Sequence, residues 1–205
     1  MRKSYVYIAL LMLFFILISG CSNSSSEKTE RATISVNADS DYVNTFEDLH
    51  LGILFDFDFK LPHADNRWVT LWVERYENGE EVPSSLDLRY GMSPEEVETG
   101  QIGFGIINPN SEGEAMAFLY GPNVSIQPSI IELEDKSGVF SSWDYAIDEE
   151  ELELDLDETY LLAAYREKKS DSIRTIDLQN DAAVNQMIEE DDLVLLLKIK
   201  VEESQ

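Results

Sequence analysis

The run LHLGILFDFDFKL at residues 49–61 alternates large apolar side chains with smaller or charged ones. Every second position of this run is leucine, isoleucine or phenylalanine, whereas the intervening positions include Asp56, Asp58 and Lys60. Successive side chains of a β-strand point to opposite faces of its sheet. The run therefore predicts a half-buried strand with one face in a hydrophobic core.

A second apolar run covers residues 68–76 and follows a loop rich in turn-forming residues. Two such runs joined by a short loop predict an antiparallel hairpin. The register that keeps both apolar faces in the core sets Asp56 opposite Trp72. The hairpin then places two tryptophans and two carboxylates together on the other face, namely Trp68, Trp72, Asp56 and Asp58.

The rest of the chain contains further short strand candidates separated by turn signals. These are residues 86–90, 101–107, 114–120, 124–134, 139–147, 172–178 and 193–201. Residues 193–201 are almost continuously apolar, which predicts a central strand. Two short helical segments are also predicted, one that starts at residues 93–96 and ends near Gly100, and one capped by Asn180 or Asp181.

Residues 149–157 alternate acids with leucines, which predicts a strand with one carboxylate face. The following LDETY sequence at residues 156–160 resembles the tyrosine corner of Greek-key sandwiches, in which the tyrosine hydroxyl bonds to upstream backbone. An ordinary strand start has the same pattern and is the alternative. Many short strands with little helix predict a mostly β fold: an antiparallel β-sandwich, Greek-key or immunoglobulin-like, with one or two short helices.

The chain is strongly acidic, with 41 acidic and 15 basic residues and a net charge of -26. Such a charge repels nucleic acid and anionic polymers, and it favours cationic partners or divalent cations. Nucleic acid is therefore excluded as a partner. The alternative explanation is that the charge simply keeps a surface protein soluble.

The amino-terminal segment has the organisation of an export signal, with Arg2 and Lys3 before an apolar run and small residues before Cys21. The apolar run of about 13 residues is short for a bilayer, which needs about 20 helical residues. The ISGC sequence at residues 18–21 resembles the lipobox of bacterial lipoproteins. The resemblance implies that residues 1–20 are a signal peptide and that acyl chains on Cys21 anchor the protein at the extracytoplasmic face of the cell membrane. An ordinary signal or a short membrane helix is the alternative.

Residues 21–31 are polar and serine-rich, which predicts a flexible tether behind the lipidated cysteine. Residues 32–205 are long enough for one β-rich extracytoplasmic domain with its own core. Cys21 is the single cysteine of the chain, so this domain forms no internal disulfide.

The sequence offers little support for catalysis. It has two histidines, His50 and His63, and it contains neither a Gly-x-Ser-x-Gly elbow nor a nucleotide-binding glycine loop. We therefore predict no cofactor and no metal site. Asp56 and Asp58 could be the carboxylate pair of a glycoside hydrolase, or a solvated face. The acids of residues 149–157 could hold calcium or could protect a sheet edge.

The tryptophans are the strongest indication of function. Indole rings beside carboxylates on a sheet face can stack on sugar rings or hold a peptide, unless a helix or loop covers them. The sequence predicts a lipid-anchored, non-catalytic binding module for wall glycan, peptide or a basic protein, with Trp68, Trp72, Asp56 and Asp58 as contacts. The alternatives are an acidic structural or regulatory lipoprotein that docks a basic partner, and a surface hydrolase.

Overall fold

Phenylalanine, leucine and valine side chains from two antiparallel sheets meet in one core layer. This core follows from the alternation predicted for residues 49–61. Phe55, Phe57 and Phe59, at alternate positions, are all 3% exposed or less. Across the core from them, Val69 and Leu71 are fully buried. The computed structural model describes residues 30–109, 114–133 and 138–204.

The described residues form thirteen strands, two α-helices and one 3₁₀ turn. In chain order they are β1 (Ala32–Val36), α1 (Asp41–Asp48), β2 (Gly52–Pro62), the 3₁₀ turn (Ala64–Asn66), β3 (Arg67–Glu77), β4 (Glu80–Val82), β5 (Asp87–Gly91), β6 (Val97–Ile107), β7 (Ala115–Gly121), β8 (Val124–Ser125), β9 (Ser129–Ile131), β10 (Val139–Tyr145), β11 (Leu152–Leu154), β12 (Thr159–Lys169), α2 (Asp181–Glu190) and β13 (Leu193–Glu203).

The chain passes between the two sheets several times. The first sheet has the order β11-β1-β2-β6-β7-β8, with β9 also paired to β7. The second sheet has the order β10-β12-β13-β3-β4, with β5 also paired to β3. Neighbouring strands are antiparallel throughout, so the predicted mostly β, antiparallel sandwich is confirmed.

The predicted hairpin between residues 49–61 and 68–76 is wrong. β2 pairs with β1 and β6 in the first sheet, whereas β3 pairs with β13, β4 and β5 in the second. The 3₁₀ turn carries the chain across the core, and the buried Arg67 holds this crossing by donating to the Pro62 carbonyl at 2.8 Å. The periodicity of the sequence identified the buried face of each strand correctly, but it did not identify the strand with which each one pairs.

The tyrosine corner is confirmed. The backbone N–H of Asp155 donates to the Tyr160 hydroxyl at 3.0 Å. β11 belongs to the first sheet and β12 to the second, so this bond lies at a crossover between sheets.

Other predictions have mixed outcomes. β13 is central, as predicted, and the strands predicted at residues 101–107 and 114–120 are present as β6 and β7, which pair with each other. Asn180 caps α2 by accepting bonds from the N–H groups of Ala182 and Ala183, as predicted. Residues 93–96 form a bend and no helix, because β6 already begins at Val97. Residues 172–178 contain no strand.

The edge of the first sheet is formed by β11, from the acidic stretch at residues 149–157. Only Leu152–Leu154 pair as a strand there. Arg31 bonds to two of the acids, with its Nη1 3.0 Å from Glu153 Oε2 and its Nε 3.1 Å from Asp155 Oδ1. The end of the predicted tether therefore contacts the sheet edge.

Cys21 and the predicted signal peptide lie outside the described residues. Within the described ranges, neither helix has the length and apolar character that a membrane crossing requires.

Candidate binding groove

The outer face of the first sheet carries a fully buried carboxylate, Asp56. Tyr120 donates its hydroxyl to Asp56 Oδ1 at 2.6 Å, and Gln101 Nε2 donates to Oδ2 at 2.9 Å. The Phe57 N–H donates to Oδ1 at 3.1 Å, and the Ser40 side chain also bonds to this carboxyl. Burial raises the pKa of Asp56, and the hydrogen bonds oppose this rise.

The sequence of α1 determines where the helix begins and which of its sides faces the sheet. Its N-cap Ser40 accepts a bond from the Val43 N–H at 3.1 Å. Val43 points inward and is buried, whereas Tyr42 and Phe46, four residues apart, share the neighbouring side of the helix. The helix therefore presents two aromatic rings along the sheet.

An aromatic groove of about 620 Å³ runs between α1 and the first sheet. Its walls include four rings, two from α1 (Tyr42 and Phe46) and two from β7 (Phe118 and Tyr120), with Leu54 of β2 on its floor. The ring centroids of Tyr42 and Tyr120 lie 6.0 Å apart with nearly perpendicular planes. Phe118 lies 6.1 Å from Tyr120 and 6.0 Å from Phe46, so the four rings form a continuous series.

Two glycines of β6 allow the β7 rings to lie flat on the sheet. A Cβ at Gly105 would lie 2.3 Å from the Phe118 ring, and one at Gly103 would lie 2.4 Å from the Tyr120 hydroxyl. Any larger residue at either position would push a ring out of place. The shape of the groove therefore depends on the absence of side chains at these two positions.

The four residues predicted to share a face are not brought together. Asp56 and Asp58 lie on the outer side of the first sheet, and Trp68 and Trp72 lie on the outer side of the second, with the whole core between them. This part of the prediction is wrong, because it depended on the hairpin. Asp58 is exposed and accepts a bond from Asn37 Nδ2 at 3.0 Å.

Both tryptophans are half-buried and contact charged neighbours. The Arg89 guanidinium lies 5.1 Å from the ring centroid of Trp68. Trp72 Nε1 donates to Glu74 at 3.3 Å, and Glu74 also binds Lys198 Nζ at 2.7 Å. Trp68 therefore lies beside the Arg89–Glu202 ion pair and Trp72 beside the Glu74–Lys198 ion pair, which leaves less of each indole for a ligand.

The carboxylate pair of the hydrolase hypothesis does not face a common cleft. Asp56 is fully buried with both oxygens hydrogen-bonded, whereas Asp58 is exposed. A general acid or base must reach the substrate within hydrogen-bond distance. Within the described ranges, no group of three or more His, Cys, Asp and Glu residues could hold a metal ion.

Sequence reasoning missed the rings of the groove, although signals for them exist. In the AMAFLYG sequence at residues 115–121, the large side chains Met116, Phe118 and Tyr120 share one face of the strand, and this face lies outside the core. The GFG sequence at residues 103–105 puts glycines on the outer face of the neighbouring strand. Outer-face rings beside outer-face glycines indicate a covered aromatic surface, and Ser40-Asp41 indicates the helix that lies over it.

Comparison of this chain with protein-family models, with curated proteins and with solved structures finds no significant match.

Proposed function

We propose that this protein is a lipid-anchored, extracytoplasmic binding module that is not an enzyme, and that its ligand enters the aromatic groove. The observation that carries the proposal is the series of four rings between α1 and the first sheet. Grooves of this size that combine aromatic and aliphatic walls with a few polar groups are typical of binding sites.

The exposure of the groove supports a role in binding. Tyr42, which lines the groove, is 52% exposed. Large exposed apolar side chains that adjoin a groove are typical of interaction sites. The buried, internally bonded Asp56 supports the non-catalytic alternative over the hydrolase one.

The location is proposed from the sequence of residues 1–21 alone. Acylated Cys21 would be the membrane anchor, since two or three acyl chains bind stably where one binds only marginally. Mass spectrometry of the protein purified from its native membrane should show a chain that begins at an acylated Cys21. An unmodified cysteine, or a retained signal peptide, would refute the anchor without affecting the groove.

Site-specific photocrosslinking in cells tests the groove. A benzophenone side chain at position 42 of the full-length protein should give a discrete adduct with one ligand or partner. The control is the same side chain at position 143, since Trp143 is 49% exposed and lies on β10 of the other sheet. Identical adducts from both positions, or none from position 42, would refute binding in the groove.

A further inference from the structure

The electronic character of the groove favours a positively charged guest. The faces of aromatic rings carry partial negative charge and attract ammonium and guanidinium groups within about 6 Å of the ring centroid. Tyr42, Tyr120, Phe118 and Phe46 follow one another at 6.0 to 6.1 Å, so a cation placed among them would be close to more than one ring.

One of these rings is additionally coupled to a carboxyl group. Tyr120 donates its hydroxyl to Asp56 at 2.6 Å, which moves electron density from the hydroxyl towards the ring. Asp56 lies at the hydroxyl end of this ring and is fully buried, so solvent screens its charge less than that of an exposed acid. Tyr42, the other tyrosine that lines the groove, is exposed to solvent.

The charges around the groove also favour a cation. Helix α1 carries three acids, Asp41, Glu47 and Asp48, and no base. None of the described residues that line the groove has a basic side chain. On the outer side of β2 the next base is Lys60, six residues from Leu54 and hence about 20 Å along the strand.

We infer that the groove binds a lysine or arginine side chain of a basic partner protein, held among Tyr42, Phe118 and Tyr120. This inference rests on the proposed binding function and specifies the chemistry of its ligand. A protein is favoured over a small ammonium compound because the groove is larger than one cationic group requires, and because the net charge of -26 attracts a partner with several positive charges.

Equilibrium binding of labelled peptides to the protein as it is isolated from cells, kept in maltoside micelles, tests the inference. A hexalysine peptide should bind, whereas the same peptide with acetylated lysines, which lack the charge, should bind at least about tenfold more weakly. Tyr42→Leu and Phe118→Leu retain apolar volume but remove a ring, and each should weaken hexalysine binding about threefold to tenfold. Trp143→Leu removes an exposed ring from the other sheet and should change binding less than about twofold.

Salt dependence and competition by choline distinguish a bound lysine side chain from attraction by the acids alone and from a small ammonium ligand. If hexalysine binding falls with salt but is the same in the ring variants and in wild type, the acids alone attract the peptide and the inference is refuted. Choline chloride can be added so that it supplies no more positive charge than the peptide does. If it still displaces the peptide, the guest is a small ammonium compound and the protein partner is refuted.

Some results would refute a cationic ligand but still support binding in the groove. If the acetylated peptide or a neutral oligosaccharide binds and the ring variants weaken it, the groove is a binding site for a neutral ligand. If the ring variants bind charged and neutral probes as the wild type does, and position 42 gives no adduct in cells, both proposals fail. Circular dichroism and melting temperature of each variant show whether it is folded.

Discussion

The backbone N–H of Asp155 bonds to the hydroxyl of Tyr160 across the turn at which the chain leaves the first sheet for the second. The bond is 3.0 Å long and closes a loop between residues that are five positions apart. It fixes the direction in which β12 starts. Asp157, inside this loop, has a φ of 64°, a left-handed conformation that is uncommon for a residue other than glycine.

Tyr160→Phe removes this bond and keeps the ring. We expect the free energy of unfolding to fall by about 1 kcal/mol, the usual net contribution of one hydrogen bond. Urea denaturation followed by tryptophan fluorescence measures it. Tyr42→Phe, at an exposed tyrosine, is the control and should have little effect on stability. Equal losses in the two variants would contradict a specific role for the corner.

Asp191→Ala should strongly destabilise the protein. Arg166 Nη1 lies 3.0 Å from Asp191 Oδ2, and both side chains are 3% exposed. Removing one partner leaves a buried charge without compensation, which costs about 3 to 5 kcal/mol. Thermal and urea denaturation measure this loss.

Glu190→Ala is the control for that experiment. Glu190 is 39% exposed and lies 3.2 Å from Arg174 and 3.7 Å from Lys168. Ion pairs at exposed positions contribute about 0 to 1 kcal/mol, so the loss should be small. Similar losses in both variants would show that burial is not the reason for the importance of Asp191.

Alanine at the two glycines of β6 should have different effects. At Gly103 the new Cβ would lie 2.2 Å from the Phe55 carbonyl oxygen, so backbone must move, and we expect a loss of about 1 to 3 kcal/mol. At Gly105 the closest atoms belong to the Phe118 ring, which can turn aside. Gly105→Ala should therefore cost less stability but reduce binding in the groove. A larger stability loss in Gly105→Ala would contradict this explanation.

The pH dependence of stability should include a contribution from Asp56. Burial raises the pKa of Asp56 above its ordinary value of 3.8, so the folded protein holds this proton at a higher pH than the unfolded chain does. The resulting stabilisation is complete below the unfolded pKa and is lost as the pH rises through the folded pKa.

Asp56→Asn removes that dependence. The free energy of unfolding of the wild type, minus that of Asp56→Asn, should therefore increase as the pH is lowered from neutral to about 4, towards the unfolded pKa. Urea denaturation of both proteins over a series of pH values measures the difference. A difference that stays constant or decreases on acidification would contradict a raised pKa.

Local patterns predicted local features of this fold well. The alternation in β2 identified Phe55 and Phe57 as core residues, and the apolar run in β13 identified a central strand. These features depend on side-chain direction, which is fixed by the backbone of a single strand. The tyrosine corner was also predictable, because its bond joins residues five apart.

Non-local pairing was not predictable in the same way. The apolar faces of β2 and β3 satisfy a hairpin and a sandwich equally well, since both arrangements bury the same side chains. The position of Trp72 relative to Asp56 depends on that choice, and so the predicted shared face was wrong. The groove was missed because Tyr42 and Tyr120 are 78 residues apart and meet only when α1 lies over the first sheet.

Arg31, just before β1, pairs with Glu153 and Asp155 at the place where the chain enters the sandwich. Thr33, two residues later, pairs with Lys60. The floor of the groove at Leu54 is six residues from there, about 20 Å along the strand axis. If residues 21–31 tether the protein as proposed, the groove would lie about 20 Å along β2 from the place where the tether joins the domain, which leaves room for a large partner beside it.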